Sequence, residues 1–206
     1  ITVISMGPPP AGDILKECLA LGADVGILLS DPVFAGADAF ATAFTLAKAI
    51  EKVGEVGVVL CGMASSDGAT EWVGPELASF LKIPVVTMVS GIGETGLDSW
   101  VVKAELEHGY RLVRVKTPAV ITVTRDVNVP RKLSFSGIIQ ARRKEIATWG
   151  VTDLGVSEEF VGLKGSPTQV RELDVIESKR QTKIIAGSLE EKADFLINLL
   201  IEKGVI

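Results

Sequence analysis

Three loops that follow strand-like runs carry residue types that could bind a phosphate group: residues 6–7, 30–38 and 62–74. Their glycines leave backbone N–H groups accessible, Asp67 and Thr70 add polar side chains, and the second loop runs into a helix N-terminus. Because ligands of open α/β sheets bind at the carboxyl ends of strands, the loops predict one nucleotide site. Glycine and aspartate are also common turn residues, so three purely structural turns are the alternative.

Groups that could carry out covalent catalysis or bind a metal are scarce. The one histidine, His108, lies at the tip of a predicted hairpin, and Cys18 and Cys61 are far apart, so a zinc site is not indicated. The motifs of serine hydrolases and P-loop NTPases are absent, and no G-x-G-x-x-G opens a helix after a strand. The sequence predicts no catalytic and no metal-binding residue, and it favours chemistry carried by a cofactor.

Bulk composition excludes several classes of protein. The net charge of -5 argues against a nucleic-acid partner, and no apolar run reaches the roughly 20 residues of a membrane span. The start lacks the pattern of a signal peptide, and two lone cysteines suit a reducing compartment, so we expect a cytoplasmic protein. The chain opens inside an apolar strand without Met, which predicts that an N-terminal segment is missing.

The elements that must position these loops alternate between strand and helix. A helix is predicted over residues 11–21, with Ile14, Cys18 and Leu21 on one face, and another over Asp38–Val53 with Phe40 inward. Val56–Cys61 reads as a strand buried on both faces. This alternation predicts a parallel α/β sheet with right-handed crossovers.

The second half of the chain changes character. Residues 100–116 predict a β-hairpin, Pro118–Thr124 a strand and Phe135–Lys144 a helix. Ser188–Lys203 has the capping pattern and apolar stripe of an amphipathic helix that docks on another protein or packs on its own domain. We therefore expect a nucleotide-binding domain over residues 1–165 and a C-terminal arm over 166–206.

Several stretches resemble the beta subunits of electron-transferring flavoproteins. They occur in the family's order and cover essentially the whole chain: Ala20–Asp24, Cys61-Gly62, Val73–Leu77, Pro118–Thr122, Asn128–Arg131, Ala141–Lys144, Asp153–Val156 and Gly165–Pro167. The resemblance implies a Rossmann-like α/β fold, similar to adenine nucleotide alpha-hydrolases, whose C-terminal arm crosses to an alpha subunit. It also implies that the family's first strand and loop precede this sequence.

The resemblance leaves two cofactors open. One branch of the family holds AMP as a structural group, whereas the other holds FAD, which takes a hydride from NADH and sends its two electrons to different acceptors. Residues 30–38, followed by Thr42, are similar to the FAD-binding, electron-bifurcating branch. The residues implied to line the cofactor are Met6, Gly7, Asp31, Phe34, Ala35, Gly36, Ala37, Asp38, Thr42, Gly62, Asp67, Gly68, Thr70, Trp72 and Val73. Trp72 stands where the family often has Gln, so it would act by stacking or by its backbone N–H.

The resemblance further implies a surface for a partner flavoenzyme, either acyl-CoA dehydrogenase-like or lactate-oxidising, with ferredoxin or flavodoxin as a second acceptor. Its residues would be Arg131, Phe135, Ile138 and Ile139, with Arg142, Arg143 and Lys144 as a basic patch beside them. The alternative interpretation of Phe135 is that its side chain is buried in the core of the domain and contacts no partner. Glu105 resembles a carboxylate that contacts the mobile flavin domain of the alpha subunit.

A rival function is that of an ATP-binding enzyme or nucleotide sensor of similar fold. It is disfavoured, because such proteins use a glycine-rich phosphate loop after a late strand, and the sequence has none beyond residues 62–74.

Overall fold

The computed structural model describes residues 1–172, 182 and 184–205, and it divides into two units, Ile1–Gln169 and Val170–Ile206. The first unit is an α/β domain with helices and parallel strands, which confirms the predicted fold class. Within the described residues, no helix has both the length and the apolar content required to cross a membrane.

The bounds of the elements follow the chain in order. The strands are β1 (Thr2–Met6), β2 (Val25–Leu29), β3 (Val58–Gly62), β4 (Val85–Thr95), β5 (Ser99–Leu106), β6 (Gly109–Lys116), β7 (Ala119–Val123) and β8 (Ile146–Trp149). The helices are α1 (Gly12–Ala20), α2 (Ala39–Val53), α3 (Val73–Leu81), α4 (Phe135–Arg143), α5 (Val151–Leu154), α6 (Gly162–Gly165) and α7 (Leu189–Glu202).

The strands form two separate sheets. One has the order β1-β2-β8 and is entirely parallel. The other has the order β3-β7-β4-β5-β6, in which β3, β7 and β4 are parallel and the β5–β6 hairpin is antiparallel. The predicted hairpin is confirmed, with its turn at Glu107 and His108.

Helix α2 packs beside both sheets. Asp38 caps its first turn by accepting a hydrogen bond from the Ala41 N–H at 3.0 Å, as its sequence predicts. Ala43 and Ala47 face the core next to α3, whereas Ala49 faces the core over β2. The small side chains let helix and strands approach closely. Phe40, predicted to point inward, is 43% exposed and packs edge-on against Phe80.

Two further predictions about burial are wrong. In α1 the buried residues are Leu15 and Leu19, which pack over Gly26 of β2, while Ile14 is 61% exposed. β3 was predicted to be covered on both faces, yet Leu60 is 53% exposed. The reason is that β3 lies at the edge of its sheet, where β7 is its only partner among the residues that the structure describes.

The second unit contains α7, whose capping box is confirmed. The Ser188 hydroxyl accepts from the Glu191 N–H, and the Glu191 carboxylate accepts from the Ser188 N–H at 2.8 Å. Leu196 and Ile201 on this helix are exposed, and Leu199 and Leu200 are half-buried. The contact predicted between this helix and an alpha subunit stays a prediction.

Candidate functional site

The three predicted loops follow β1, β2 and β3. Asp38, at the start of α2, lies close enough to Glu76, in the first turn of α3, for its charge to help raise the pKa of Glu76, so the loops that follow β2 and β3 end near each other. Met6, Gly7 and Gly62 stand at the ends of β1 and β3, and the Gly7 N–H already donates to the Leu29 carbonyl at 3.0 Å.

A cavity of about 420 Å³ opens at the ends of β3, β7 and β4. Its lining contains two of the predicted residues, Thr70 and Trp72, together with Met63, Glu71, Pro75, Thr87, Met88 and Thr122. The Trp72 side chain is 65% exposed, so its indole presents a flat surface at the rim. A cavity with an aromatic rim and a few polar groups suits a small-molecule ligand.

The backbone around this cavity is strained. Ala69, Glu71 and Met88 adopt positive φ angles of 45°, 62° and 58°, a region that costs non-glycine residues on the order of 1 kcal/mol or more each. The Met88 N–H donates to the Thr122 hydroxyl at 3.1 Å, which holds the β4 chain in place. Strain of this kind concentrates at functional sites. Nothing in the sequence signals it at Met88, which lies in a run typical of an ordinary strand.

The two helices that begin near the site differ in how their N-termini are satisfied. α2 is capped by the Asp38 carboxylate, which places a negative charge at its first turn. α3 begins after Trp72 without a side-chain cap, so Val73 and Gly74 offer N–H groups at the positive end of the helix dipole. Of the two, α3 is therefore the suitable place for an anionic group, such as a pyrophosphate.

Asp31 is a predicted cofactor residue, but both oxygens of its carboxylate accept hydrogen bonds from the protein's own backbone. One oxygen accepts from the Val33 N–H and the other from the Val151 N–H, both at 3.0 Å. These two hydrogen bonds lower the pKa of Asp31. Gly150 leaves the space, because a Cβ there would lie 2.7 Å from the carboxylate. Asp31 thus ties the loop after β2 to the start of α5.

Asp38 is similarly engaged. Its second carboxylate oxygen accepts from the Thr168 N–H at 2.9 Å and the Thr168 hydroxyl at 2.7 Å, and its own N–H donates to the Ser166 hydroxyl at 2.8 Å. Burial raises the pKa of Asp38, but hydrogen bonds from Ala41 and Thr168 outweigh it, so the pKa lies below its ordinary value. We name these contacts of Asp38 with Ser166 and Thr168 the Asp38 clasp.

The rest of the loop after β2 is partly covered. Phe34 is buried in the core. Gly36, at φ 73°, lies under Leu163, whose N–H donates to the Ala35 carbonyl at 3.1 Å. Ala37 precedes the cap, and Thr42 is half-buried in the first turn of α2. Ala35 and Gly36 remain exposed, so a ligand can reach this loop through the backbone there.

Two buried polar atoms near the site have no hydrogen-bond partner among the described residues, Glu76 Oε2 and Thr124 Oγ1. Burial and the nearby charge of Asp38 raise the pKa of Glu76. Asp67 and Gly68 lie on the exposed loop, where the Ser65 hydroxyl and the Gly68 N–H lower the pKa of Asp67. The sequence signals neither unpartnered atom, because both depend on contacts between elements.

The titratable and nucleophilic groups elsewhere suggest no other reaction. Burial raises the pKa of the Cys61 thiol to about 11, which makes it a poor nucleophile. His108 is exposed at the hairpin turn, as expected. Within residues 1–172, 182 and 184–205, no group of three His, Cys, Asp or Glu side chains is arranged to hold a metal ion.

The predicted partner surface lies on α4 and the loop before it. Phe135 is 80% exposed, so the alternative of a core position is wrong, and Arg131 and Ile139 are also exposed, with Ile138 half-buried. Arg142 and Arg143 face solvent, but Lys144 points inward and donates to the Ala23 carbonyl at 2.6 Å. The predicted basic patch is therefore wrong at Lys144.

Comparisons with a family model and with individual proteins point to the same family. A model of the electron transfer flavoprotein domain matches residues 1–154. The chain is 43% identical, over 207 residues, to the electron transfer flavoprotein subunit beta of Thermoanaerobacterium thermosaccharolyticum, and 41% identical to that of Clostridium acetobutylicum over 206 residues. It is 41% identical over 207 residues to subunit CarD of the caffeyl-CoA reductase-Etf complex of Acetobacterium woodii.

Each of these matches covers the whole of this chain and 79% of the relative. The matched family domain contains β1 to β8 and the cavity at the ends of β3, β7 and β4. The chain belongs to the electron transfer flavoprotein family and resembles its beta subunits along its whole length.

Proposed function

We propose that this chain binds FAD at the carboxyl ends of β1 to β4 and, paired with an alpha subunit, passes electrons from NADH to two acceptors. One acceptor would be a flavoenzyme and the other ferredoxin or flavodoxin. A cytoplasmic location suits this role and the free thiols of Cys18 and Cys61. The observation that carries the proposal is the strained cavity beside the uncapped start of α3.

The protein's own groups would bind and orient the cofactor. The N–H groups of Val73 and Gly74 would donate to the pyrophosphate, with the Thr70 hydroxyl beside them, and Trp72 would stack on a ring at the rim. FAD, when bound, supplies the redox chemistry that the side chains lack. Ala35 and Gly36 would approach it through their backbone, because Asp31 and Asp38 are engaged elsewhere.

AMP is the alternative ligand, in a subunit that stabilises the heterodimer without exchanging electrons itself. The same cavity and helix terminus would hold its phosphate. The similarity of residues 30–38 to the bifurcating branch favours FAD. So does the likeness to CarD, whose name places it in a complex with a caffeyl-CoA reductase.

That likeness also favours a flavoenzyme acting on acyl-CoA compounds as partner, ahead of a lactate-oxidising one. The surface that would meet it is the one around Phe135, whose exposed aromatic ring shares α4 with Ile139, Arg142 and Arg143 and follows the exposed Arg131 in the chain. Such a combination of aromatic anchor and positive charge suits binding and electrostatic steering.

The test is to express the protein together with its alpha subunit and to identify the released nucleotides by absorbance and mass spectrometry. Two FAD and no AMP per heterodimer are expected. One FAD and one AMP would contradict the proposal and leave the structural subunit. Thr70→Val should weaken retention of the nucleotide, whereas Thr152→Val, at an exposed site on α5, should leave it unchanged. Equal retention by both variants would rule out the role given to Thr70.

A further inference from the structure

Helix α4, which carries Phe135, packs mainly on one neighbour. Among the elements that the structure describes, α1 is the one that α4 contacts most extensively. The apolar part of this contact is small, because it consists of Leu19 and Ala23, in and after α1, against Ala141 of α4. Apolar attraction has no direction of its own, so other groups must fix the orientation of α4.

Two lysines, one from each side of this contact, reach across it. The Lys16 ammonium, on α1, donates to the carbonyls of Ala141 and Lys144 at 3.3 and 2.5 Å, at the C-terminal end of α4. The Lys144 ammonium donates in the other direction, to the Ala23 carbonyl at 2.6 Å, just beyond the end of α1. Each lysine therefore binds carbonyls at or near the C-terminal end of the opposite helix.

Both lysines are engaged with these carbonyls. Each is half-buried, and neither forms a direct ion pair with a carboxylate within the described part of the chain. A positive charge near the C-terminus of a helix is stabilised by the helix dipole, and a charged donor forms a stronger hydrogen bond than a neutral one. Such bonds favour one orientation of the helix, because a turn of the helix would break them.

The backbones of the two helices also approach each other closely. A Cβ at Gly137 of α4 would lie 2.4 Å from the Ala20 carbonyl oxygen and 3.0 Å from Ser134 Oγ, so only glycine permits this approach. A Cβ at Gly22, two residues beyond α1, would lie 3.5 Å from the Arg131 guanidinium, so the loop before α4 also lies against the end of α1. Contacts at both ends of α4 therefore position it on α1.

We propose that Lys16 and Lys144 are positioning residues of the partner surface, which hold α4 in the orientation that presents Phe135 and Ile139 to the partner flavoenzyme. This inference rests on the proposed function, because it requires that surface to bind a partner. The lysines act through α4 and need not touch the partner themselves. For Lys144, a role in orientation replaces the role in a basic patch that the sequence predicts.

A small movement of α4 is sufficient to impair binding. A helix with its side chains has a radius of about 5–6 Å, so a rotation of α4 by about 20° moves an outward side chain by about 2 Å. Binding surfaces require their groups to be held within about 0.5 Å. The loss of either lysine should therefore weaken partner binding even where the domain stays folded.

Stopped-flow electron transfer measures this effect. The protein, paired with its alpha subunit and reduced by dithionite, is mixed with increasing concentrations of the caffeyl-CoA reductase of Acetobacterium woodii, the enzyme named in the complex that contains CarD. Lys16→Met and Lys144→Met should each raise the apparent Kd for the reductase about three- to tenfold and leave the limiting rate within about twofold. A loss of folded protein would instead lower the amplitude. Lys48→Met, which removes the same charge from a half-buried site on α2, should change neither value.

A double-mutant cycle distinguishes positioning from a simple loss of positive charge. In a Phe135→Ala background the partner no longer senses where that ring lies, so Lys16→Met should change the apparent Kd by less than about twofold. An equal increase of the Kd in both backgrounds would show that Lys16 acts independently of the ring, and it would overturn the proposal.

Amide hydrogen exchange tests the positioning without a partner. In Lys16→Met, the amides of Ile139 and Ala141 should exchange about tenfold faster or more, whereas those of Val102 and Ile121 in the larger sheet should not change. Unchanged exchange along α4 would overturn the proposal. If the parent protein does not react with the reductase, the partner assigned under the proposed function is wrong, and the exchange measurement alone decides whether the lysines hold α4.

Discussion

Gly74 and Thr122 are expected to be strongly coupled. A Cβ atom at position 74 would lie 2.3 Å from Thr122 Cγ2 and 3.3 Å from Cys61 Sγ, so an alanine cannot fit unless its neighbours move. Gly74→Ala should therefore destabilise the protein by about 1–3 kcal/mol, the usual cost of overpacking a core. This figure is the net loss of stability: the higher helix propensity of alanine relative to glycine, worth at most about 1 kcal/mol, is already subtracted from the cost of the clash.

Thr122→Ser provides the matched partner. Serine removes the methyl group that obstructs alanine and keeps the hydroxyl that accepts from the Met88 N–H at 3.1 Å. Alone, it should cost about 1 kcal/mol for a lost buried methyl group. In the double variant the alanine Cβ fills the vacated space, so the loss should be well below the sum of the single losses, with a coupling free energy of about 1–3 kcal/mol.

Urea denaturation of the four proteins measures this cycle directly. Gly57→Ala is the control, because a Cβ there meets nothing within 4 Å, and it should change stability little. If the losses of Gly74→Ala and Thr122→Ser add to within about 0.5 kcal/mol, the steric reasoning is refuted.

Three further outcomes follow from the site. Asp38→Asn should destabilise by about 1–2 kcal/mol, because an amide nitrogen would face donors of Thr168, and the amide exchange of Thr168 should accelerate; unchanged exchange would contradict the clasp. Hydrogen bonds lower the pKa of Asp31, so its carboxylate stabilises the fold above its unfolded pKa and loses this contribution on acidification. Asp31→Asn should therefore lower the free energy of unfolding by about 1 kcal/mol at pH 7, and the difference from the parent protein should become smaller below about pH 4. Urea denaturation at pH 7 and at about pH 3 measures both. Phe135→Ala should change the free energy of unfolding by less than about 0.5 kcal/mol, since the ring is exposed, yet slow electron transfer to the partner flavoenzyme in a stopped-flow assay.

Local signals in the sequence predicted the elements that depend on local chemistry. The Asp38 cap, the Ser188 capping box and the hairpin turn at His108 are each determined by residues within a few positions. The strand β8 escaped prediction because its four residues have no distinctive pattern. They form a strand through pairing with β2, more than a hundred residues earlier.

The residues of the candidate site likewise fall into those that the sequence could predict and those that it could not. Thr70 could be predicted because the loop composition and the family likeness both indicate it, and Trp72 because the family likeness does; both line the cavity. Met88 and Thr122 could not, since their contact joins two strands that are distant in sequence. The engagement of Asp31 with Val151 is likewise a contact over 120 positions, and composition alone cannot distinguish such a carboxylate from one that faces a ligand.

The strand β6 forms the far edge of the larger sheet, and its side chains bear on the behaviour of the protein in concentrated solution. Arg111, Arg114 and Lys116 are exposed along it, and positive charges of this kind discourage edge-to-edge pairing between molecules. β1 and β3, which also lie at sheet edges within the described part of the chain, carry no charged residue. Aggregation of the isolated chain should therefore begin there and spare the hairpin.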